Sequence, residues 1–211
     1  MKHLVLAAVA MAAIPAALGA QQSCSEQVHS PESGAWSEYD VRSPSGTAAR
    51  TRLAVIGAEK AGDQDLVWVE TRAANPGGEV QAITHVLVPG FPYAASDLHA
   101  AVLEGRTGIP VRLTDAQVAR ARQSAPPLVR AIADACESAD LVGQEEVEVP
   151  AGKVRASHFR NALRGVDIWV SAEVPFGVVK LVNASDRSSM ELRDRGRGAK
   201  SSLSGPPRTA D

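Results

Sequence analysis

The chain has 211 residues, of which 45% are hydrophobic and 4% aromatic, with a formal net charge of −2 at pH 7. A near-neutral charge gives nucleic acid no electrostatic reason to bind, so DNA and RNA are not expected as partners. The length corresponds to one ordinary domain, in which alanine and valine supply much of the packing.

The first 20 residues have the three parts of an export signal. Lys2 provides the basic start, residues 4–14 form a short apolar run, and the small residues 16–20 form a cleavage site. This run is too short to span a bilayer, and no other run approaches the required length. Cys24 lies beyond the cleavage point, whereas a lipoprotein needs its cysteine directly at it. We therefore predict a signal peptide over 1–20, no lipobox, no membrane-spanning segment, and a periplasmic or secreted mature protein.

The first half of the mature chain alternates apolar and polar residues in the manner of β-strands. Short breaks with turn residues, such as SPSG and NPGG, separate the strands, so the strands should pair as antiparallel neighbours. The predicted strands, all within 36–89, cover residues 36–42, 49–57, 65–73 and 79–89.

The period changes between residues 94 and 137, where we predict a block of three short helices. The first helix combines a serine cap with an apolar group, at Ser96, Leu98, Ala101 and Val102. The second begins with a capping box formed by Thr114 and Gln117.

The third predicted helix begins with two prolines, which are favourable in a first turn. Its apolar residues then repeat every four positions, at Leu128, Ile132 and Cys136. Such a repeat forms one apolar stripe, which a short helix must bury to be stable.

Strands resume after the helical block, within 141–195. We predict them at 141–149, 153–162, 165–174, 177–184 and 188–195. The breaks Pro150-Ala151-Gly152 and Pro175-Phe176-Gly177 have turn chemistry, because proline ends a strand and glycine allows positive φ. The tail 204–211 is predicted to be disordered from its composition. About nine strands around a central helical block predict an antiparallel α+β domain over 21–203.

The two cysteines of the chain, Cys24 and Cys136, both lie in the predicted mature protein. An even count in an exported chain favours a disulfide between them, and two separate thiols are the alternative.

No motif in the sequence indicates a metal site, a cofactor or an enzyme. The mature histidines never fall at metal-ligand spacing, and HExxH, CxxC, P-loop and GxSxG patterns are absent. His158 follows Val154 and Ala156 at period two, which is typical of a strand residue. Asp167 and Glu173 lie on the strand face opposite the apolar residues, which indicates a solvated face.

The second group of strands resembles a family of exported bacterial proteins. The stretches VEVPAGKVRASHFR, DIWVSAEVPFGVVKL and SSMELRDRGRGAKSSL are similar to the outer-membrane lipoprotein-sorting group, the LolA/LolB- and RseB-like fold. The early GAWSEYDVR and RTRLAVIGAE resemble its first strands. The resemblance implies a strongly curved antiparallel sheet, a half-barrel, whose concave face is covered by helices. The cavity between them binds lipids or acyl chains in the carriers of this family.

These patterns favour a non-catalytic exported protein that carries or senses a hydrophobic ligand, namely a lipid, an acyl chain or a lipoprotein. An apolar ligand would fit the seam between the sheet and its helical cover. The candidate cavity liners are Leu98, Val102, Leu128, Ile132, Val154, Ala156, His158, Ile168, Val170, Val178 and Val182. The alternatives are a cell-envelope module that binds another protein and no small ligand, and an exported hydrolase.

Overall fold

The computed structural model describes residues 22–123 and 126–210, which form one large β-sheet with short helices on one face. The predicted signal peptide, residues 1–20, lies outside the described residues. Within the described ranges, no helix combines the length and apolar character needed to cross a lipid bilayer.

Twelve strands form the sheet, in the order β12-β6-β5-β4-β3-β2-β1-β11-β10-β9-β8-β7 once numbered along the chain. They are β1 (Trp36–Arg42), β2 (Ala48–Ala61), β3 (Gln64–Ala74), β4 (Val80–Val88), β5 (Ala100–Gly105), β6 (Pro110–Arg112), β7 (Asp140–Val149), β8 (Gly152–Asn161), β9 (Val166–Val170), β10 (Val178–Asn183), β11 (Ser188–Gly196) and β12 (Arg208–Thr209). The β12 and β6 strands pair in parallel, and the others are antiparallel. The expected half-barrel of about nine strands with a central helical block is therefore wrong. The sheet is mixed and open, with β12 and β7 at its edges.

The predicted helical block, 94–137, contains two strands as well as helices. Ala101 of β5 belongs to the main hydrophobic cluster, whereas its neighbour Val102 is buried outside that cluster, on the opposite face of the sheet. Because both faces of β5 are covered, apolar residues occupy adjacent positions and imitate the stripe of a helix. A three-residue 3₁₀ helix, Ala95–Asp97, precedes the strand.

Three short α-helices lie on the face that carries the main cluster, which we call the inner face. They are α1 (Cys24–Gln27), α2 (Asp115–Ala121) and α3 (Pro127–Cys136). The capping box of Thr114 and Gln117 at the start of α2 is confirmed. The α3 helix packs on β8 and β9 and buries Val129, Ile132 and Ala135. This stripe differs from the predicted one, because Leu128 lies at the margin of the cluster rather than inside it.

The disulfide between Cys24 and Cys136 is confirmed, with 5.3 Å between the two Cα atoms. It joins α1 to the last residue of α3. Gln27 of α1 also reaches the sheet, where its amide nitrogen donates a hydrogen bond to the hydroxyl of Ser157 at 3.3 Å. The N-terminal helix is therefore tied both to α3 and to β8.

The C-terminal segment, residues 197–210, crosses the other face of the sheet, which we call the outer face. The backbone amide of Ser204 donates to the buried carboxylate of Glu104 at 2.9 Å. Apolar side chains form a second buried group on this part of the sheet, outside the main cluster: Ala54, Leu66, Ile83, Leu87 and Val102. The expected disordered tail, 204–211, includes the two residues of β12.

The two predicted turns have left-handed backbone conformations. Gly152 has φ of +102°, and the Pro175 turn places both Phe176 and Gly177 at positive φ, +66° and +77°. A Cβ atom at Gly177 would overlap the carbonyl oxygen of Gln27, so only glycine fits there. The second turn thereby serves as the docking point of the N-terminal segment.

Candidate functional site

A cleft of about 800 Å³ lies between one side of α3 and the part of the inner face formed by β1, β10 and β11. Its volume lies in the range of roughly 300–1,000 Å³ that is usual for small-molecule sites. We call it the α3 cleft. Its apolar lining comes from Val41, Pro44, Pro127, Leu128, Ala131, Val166, Leu181 and Met190.

The sheet wall of the α3 cleft is built by neighbouring strands in register. Leu181, Met190 and Val41 are direct cross-strand partners on β10, β11 and β1, so their side chains form one continuous apolar row. Thr51 and Thr71 extend this wall onto β2 and β3. Their small side chains leave room above the sheet, and their hydroxyl groups add a few polar contacts. Polar and charged residues also line the cleft, but most of its exposed surface is apolar, which suits an apolar ligand.

The helix wall is held in place independently of any ligand. Val129 and Ile132 anchor the buried side of α3, while Leu128 and Ala131 lie on the side that lines the cleft. The side-chain amide of Asn161 donates hydrogen bonds to the carbonyl oxygens of Asp134, at 3.0 Å, and Glu137, at 2.7 Å. These bonds satisfy carbonyls at the helix C-terminus, which lack partners within the helix. The cleft is therefore preformed between two fixed walls.

Charged side chains surround the opening, and several are already paired. Arg164 lies 2.5 Å from Glu137 and 3.5 Å from Asp134. The hydrogen bond with Glu137, followed by the charge of Asp134, raises the pKa of Arg164. Asp186 accepts hydrogen bonds from the hydroxyl and then the backbone amide of Ser188, which lower its pKa. These groups stay ionised at neutral pH.

The predicted liners are mostly core residues. Leu128 lines the α3 cleft. Buried in the main cluster are Leu98, Ile132, Val154, Ala156, Ile168, Val170 and Val178, while Val102 is buried outside that cluster and Val182 and His158 are half-buried. Period two separates the two faces of a strand, but it does not distinguish a packed core from a cavity wall.

His158 lies in a cross-strand cluster on the outer face. Its ring stacks on Trp169 with 4.3 Å between centroids, and its Nε2 and Nδ1 atoms lie 2.6 Å from Asp167 and 3.4 Å from Glu145. Burial alone would raise the pKa of Asp167, but hydrogen bonds from His158 and Arg160 lower it. His158 thus stabilises the sheet through stacking on Trp169 and a hydrogen bond with Asp167.

The period-two relation of His158 to Val154 and Ala156 does not place it in the core, for a local reason. The buried positions of β8 change from even to odd between Ala156 and Ser157. His158 therefore lies on the face opposite the buried residues Ser157 and Phe159, although it has an even number like the buried Val154 and Ala156.

A second polar cluster, which sequence reasoning missed, holds the C-terminal segment. Glu70 is fully buried, and its carboxylate lies 2.8 Å from Nε2 of His85. The carboxylate also accepts bonds of 2.7 Å from both the amide and the hydroxyl of Ser202. Burial would raise the pKa of Glu70, but the bonds from His85 and Ser202 outweigh it and lower that pKa. The signal in the sequence is an acid that directly follows the apolar run of residues 66–69 in β3.

This second cluster lacks the order of a nucleophilic site. The hydroxyl of Ser202 donates to Glu70, and the imidazole of His85 binds the same carboxylate. A serine nucleophile instead needs its proton directed at the base. Within the described ranges, no group of three or more His, Cys, Asp or Glu side chains is placed to hold a metal ion.

Two solved structures are partly similar to this chain. A protein from Bacteroides fragilis NCTC 9343, described as exported and as having a YmcC-like fold, matches with a TM-score of 0.38 and 12% identity, over 80% of this chain and 98% of its own. A protein from Parabacteroides distasonis ATCC 8503, described as a lipoprotein, matches with a TM-score of 0.37 and 11% identity, over 78% and 96%. TM-scores this low establish no shared fold. No protein-family model and no curated protein matches the sequence, and the resemblance to LolA and LolB stays a prediction.

Proposed function

We propose that this chain is an exported, non-catalytic binding protein that holds the apolar chain of a hydrophobic ligand in the α3 cleft. The observation that carries the proposal is the continuous row of Val41, Met190 and Leu181, which faces a helix across an open space of about 800 Å³. Met190 and Leu181 are buried in the main cluster and form the floor of the cleft, whereas Val41 and Leu128 are only half-buried and lack packing contacts on the cleft side. An acyl chain or a similar apolar chain would recover those contacts.

The disulfide supports export and the binding role together. Disulfides persist in oxidising compartments such as the periplasm or the extracellular space. Here the bond fixes α3, which is one wall of the cleft, to the N-terminal helix. A preformed wall lowers the entropic cost of binding a flexible ligand.

The alternative of a protein-binding module at a sheet edge is less well supported. The β7 edge exposes acidic side chains, at Asp140, Glu145, Glu146 and Glu148. Charged side chains on an edge strand discourage pairing with another strand. The hydrolase alternative has no nucleophile directed at a base in either polar cluster described above.

A fluorescent apolar probe tests the proposal directly. N-phenyl-1-naphthylamine gains fluorescence in apolar sites and should bind the parent protein saturably. Ala131→Trp would fill the cleft from the helix side and should weaken binding about tenfold or more. Ala133→Trp is the matched control, since Ala133 is exposed on the same helix but does not belong to the lining of the α3 cleft.

The outcomes separate clearly when circular dichroism shows that both variants fold. Retained binding in Ala133→Trp with weakened binding in Ala131→Trp supports the proposal. Absence of saturable binding in the parent, or equal binding in the parent and Ala131→Trp, would contradict it.

A further inference from the structure

The α3 cleft has two arginines at its opening that the surrounding acids leave unpaired. Arg42 lies at the end of β1 on the sheet wall, and Arg130 lies in the first turn of α3 on the helix wall. Both side chains are exposed. Among the described residues, neither has a carboxylate within ion-pair distance, whereas Arg164 takes up Asp134. Two guanidinium groups therefore flank the entrance from opposite sides.

A third arginine adds to the positive charge at this opening. Arg187 and Arg42 line the same shallow depression beside the cleft. Arg187 occupies the turn between β10 and β11 with φ of +64°, a conformation that non-glycine residues adopt at some cost. An anion in this depression would meet positive charge from both arginines.

We propose that Arg42 and Arg130 bind the anionic head group of an amphiphile whose single apolar chain occupies the α3 cleft. The proposal rests on the function proposed above and adds the chemical class of the ligand. Guanidinium groups bind carboxylates and phosphates through paired hydrogen bonds, which suits either a free fatty acid or a phosphate head group. The apolar row then takes the chain, and the arginines fix which end faces the solvent.

Isothermal titration with ligands of one chain length tests this assignment. The ligands are decanoate and decyl phosphate, each below its critical micelle concentration, and the uncharged decanol, below its solubility limit. The parent should bind at least one of the two anions about tenfold more tightly than decanol, since charge-assisted bonds at an exposed opening are partly screened. Which anion binds more tightly identifies a carboxylate or a phosphate source.

Two double variants distinguish binding by Arg42 and Arg130 from an effect of the overall positive charge of the protein. The double change Arg42→Gln and Arg130→Gln should abolish the preference for anions, measured as the ratio of the affinity for each anion to the affinity for decanol. The double change Arg120→Gln and Arg155→Gln removes the same charge from exposed arginines outside the lining of the cleft and should retain the preference.

Each remaining outcome overturns the assignment in a recognisable way. Equal affinities of the parent for decanol and both anions, or an anion preference that survives in the Arg42 and Arg130 variant, overturns the head-group assignment alone. If the parent binds none of the three ligands, both the proposed function and this inference are overturned.

Discussion

Removing the disulfide should destabilise the protein strongly, because the bond closes a long loop. The two cysteines are separated by 112 positions in the sequence. In the chain-entropy model, a loop of this length contributes about 16 cal/mol/K, or about 5 kcal/mol at 25 °C. Measured values for other disulfides mostly fall lower, at about 2–4 kcal/mol. The double change Cys24→Ala and Cys136→Ala should therefore lower the free energy of unfolding by about 3–5 kcal/mol.

Urea unfolding followed by circular dichroism measures this difference. The reduced parent protein is the control, and it should unfold at nearly the same urea concentration as the double variant, since both lack only the bond. The variant should still fold, because Val129, Ile132 and Ala135 keep α3 on the sheet. A loss below about 1 kcal/mol would refute the reasoning, since it would mean that the bond does not constrain the unfolded chain.

The remaining predictions concern the second turn and the buried acid. Gly177→Ala should lower the free energy of unfolding by about 3 kcal/mol, because it combines a positive φ with an overlap at Gln27. Gly152→Ala should lower it by only about 1 kcal/mol, because Gly152 has positive φ but open space around it. Thermal melts compare the two, and equal losses would contradict the docking role of Gly177. Folding lowers the pKa of Glu70 below its ordinary value of 4.5. The ionised carboxylate therefore stabilises the fold fully above that ordinary pKa, and this stabilisation is lost as the pH falls through the pKa of the folded state. Glu70→Gln should therefore be less stable than the parent at pH 7, and the difference should shrink at acidic pH; a difference independent of pH would contradict this.

The strands were largely predictable from the sequence, because alternation reports which faces are covered. The strands predicted within 36–89 and 141–195 agree with the structure to within a few residues. Alternation fails at β5, where Ala101 and Val102 are buried on opposite faces. The cover on the outer face is the C-terminal segment, whose composition indicated disorder. The backbone amides of Ser202 and Ser204 attach this segment by donating hydrogen bonds to Glu70 and Glu104. The sequence does not show these pairings, because the partners lie about a hundred or more residues apart.

For the cleft that we propose as the binding site, the sequence indicated only a position between the third helix and the sheet. The seam between the third helix and the sheet does contain a cleft, and Leu128 lines it. The sheet wall of the cleft comes from strands β1, β2, β3, β9, β10 and β11, and only the pairing order brings these strands together. Sequence patterns show which residues alternate, but not which side of a helix is left uncovered on the sheet. Val129 and Ile132 pack α3 on the sheet, and the disulfide holds its last residue, while Leu128 and Ala131 lie on the side that lines the cleft.

A nitrogen–proton correlation NMR titration with decanoate tests the central claim that the α3 cleft binds an apolar chain. The account predicts saturable shifts that concentrate on the backbone amides of Thr51, Thr71, Ala131 and Leu181, which all belong to the lining of the cleft. Shifts that gather instead around Trp169 on the outer face, or a spectrum that decanoate leaves unchanged, would contradict it.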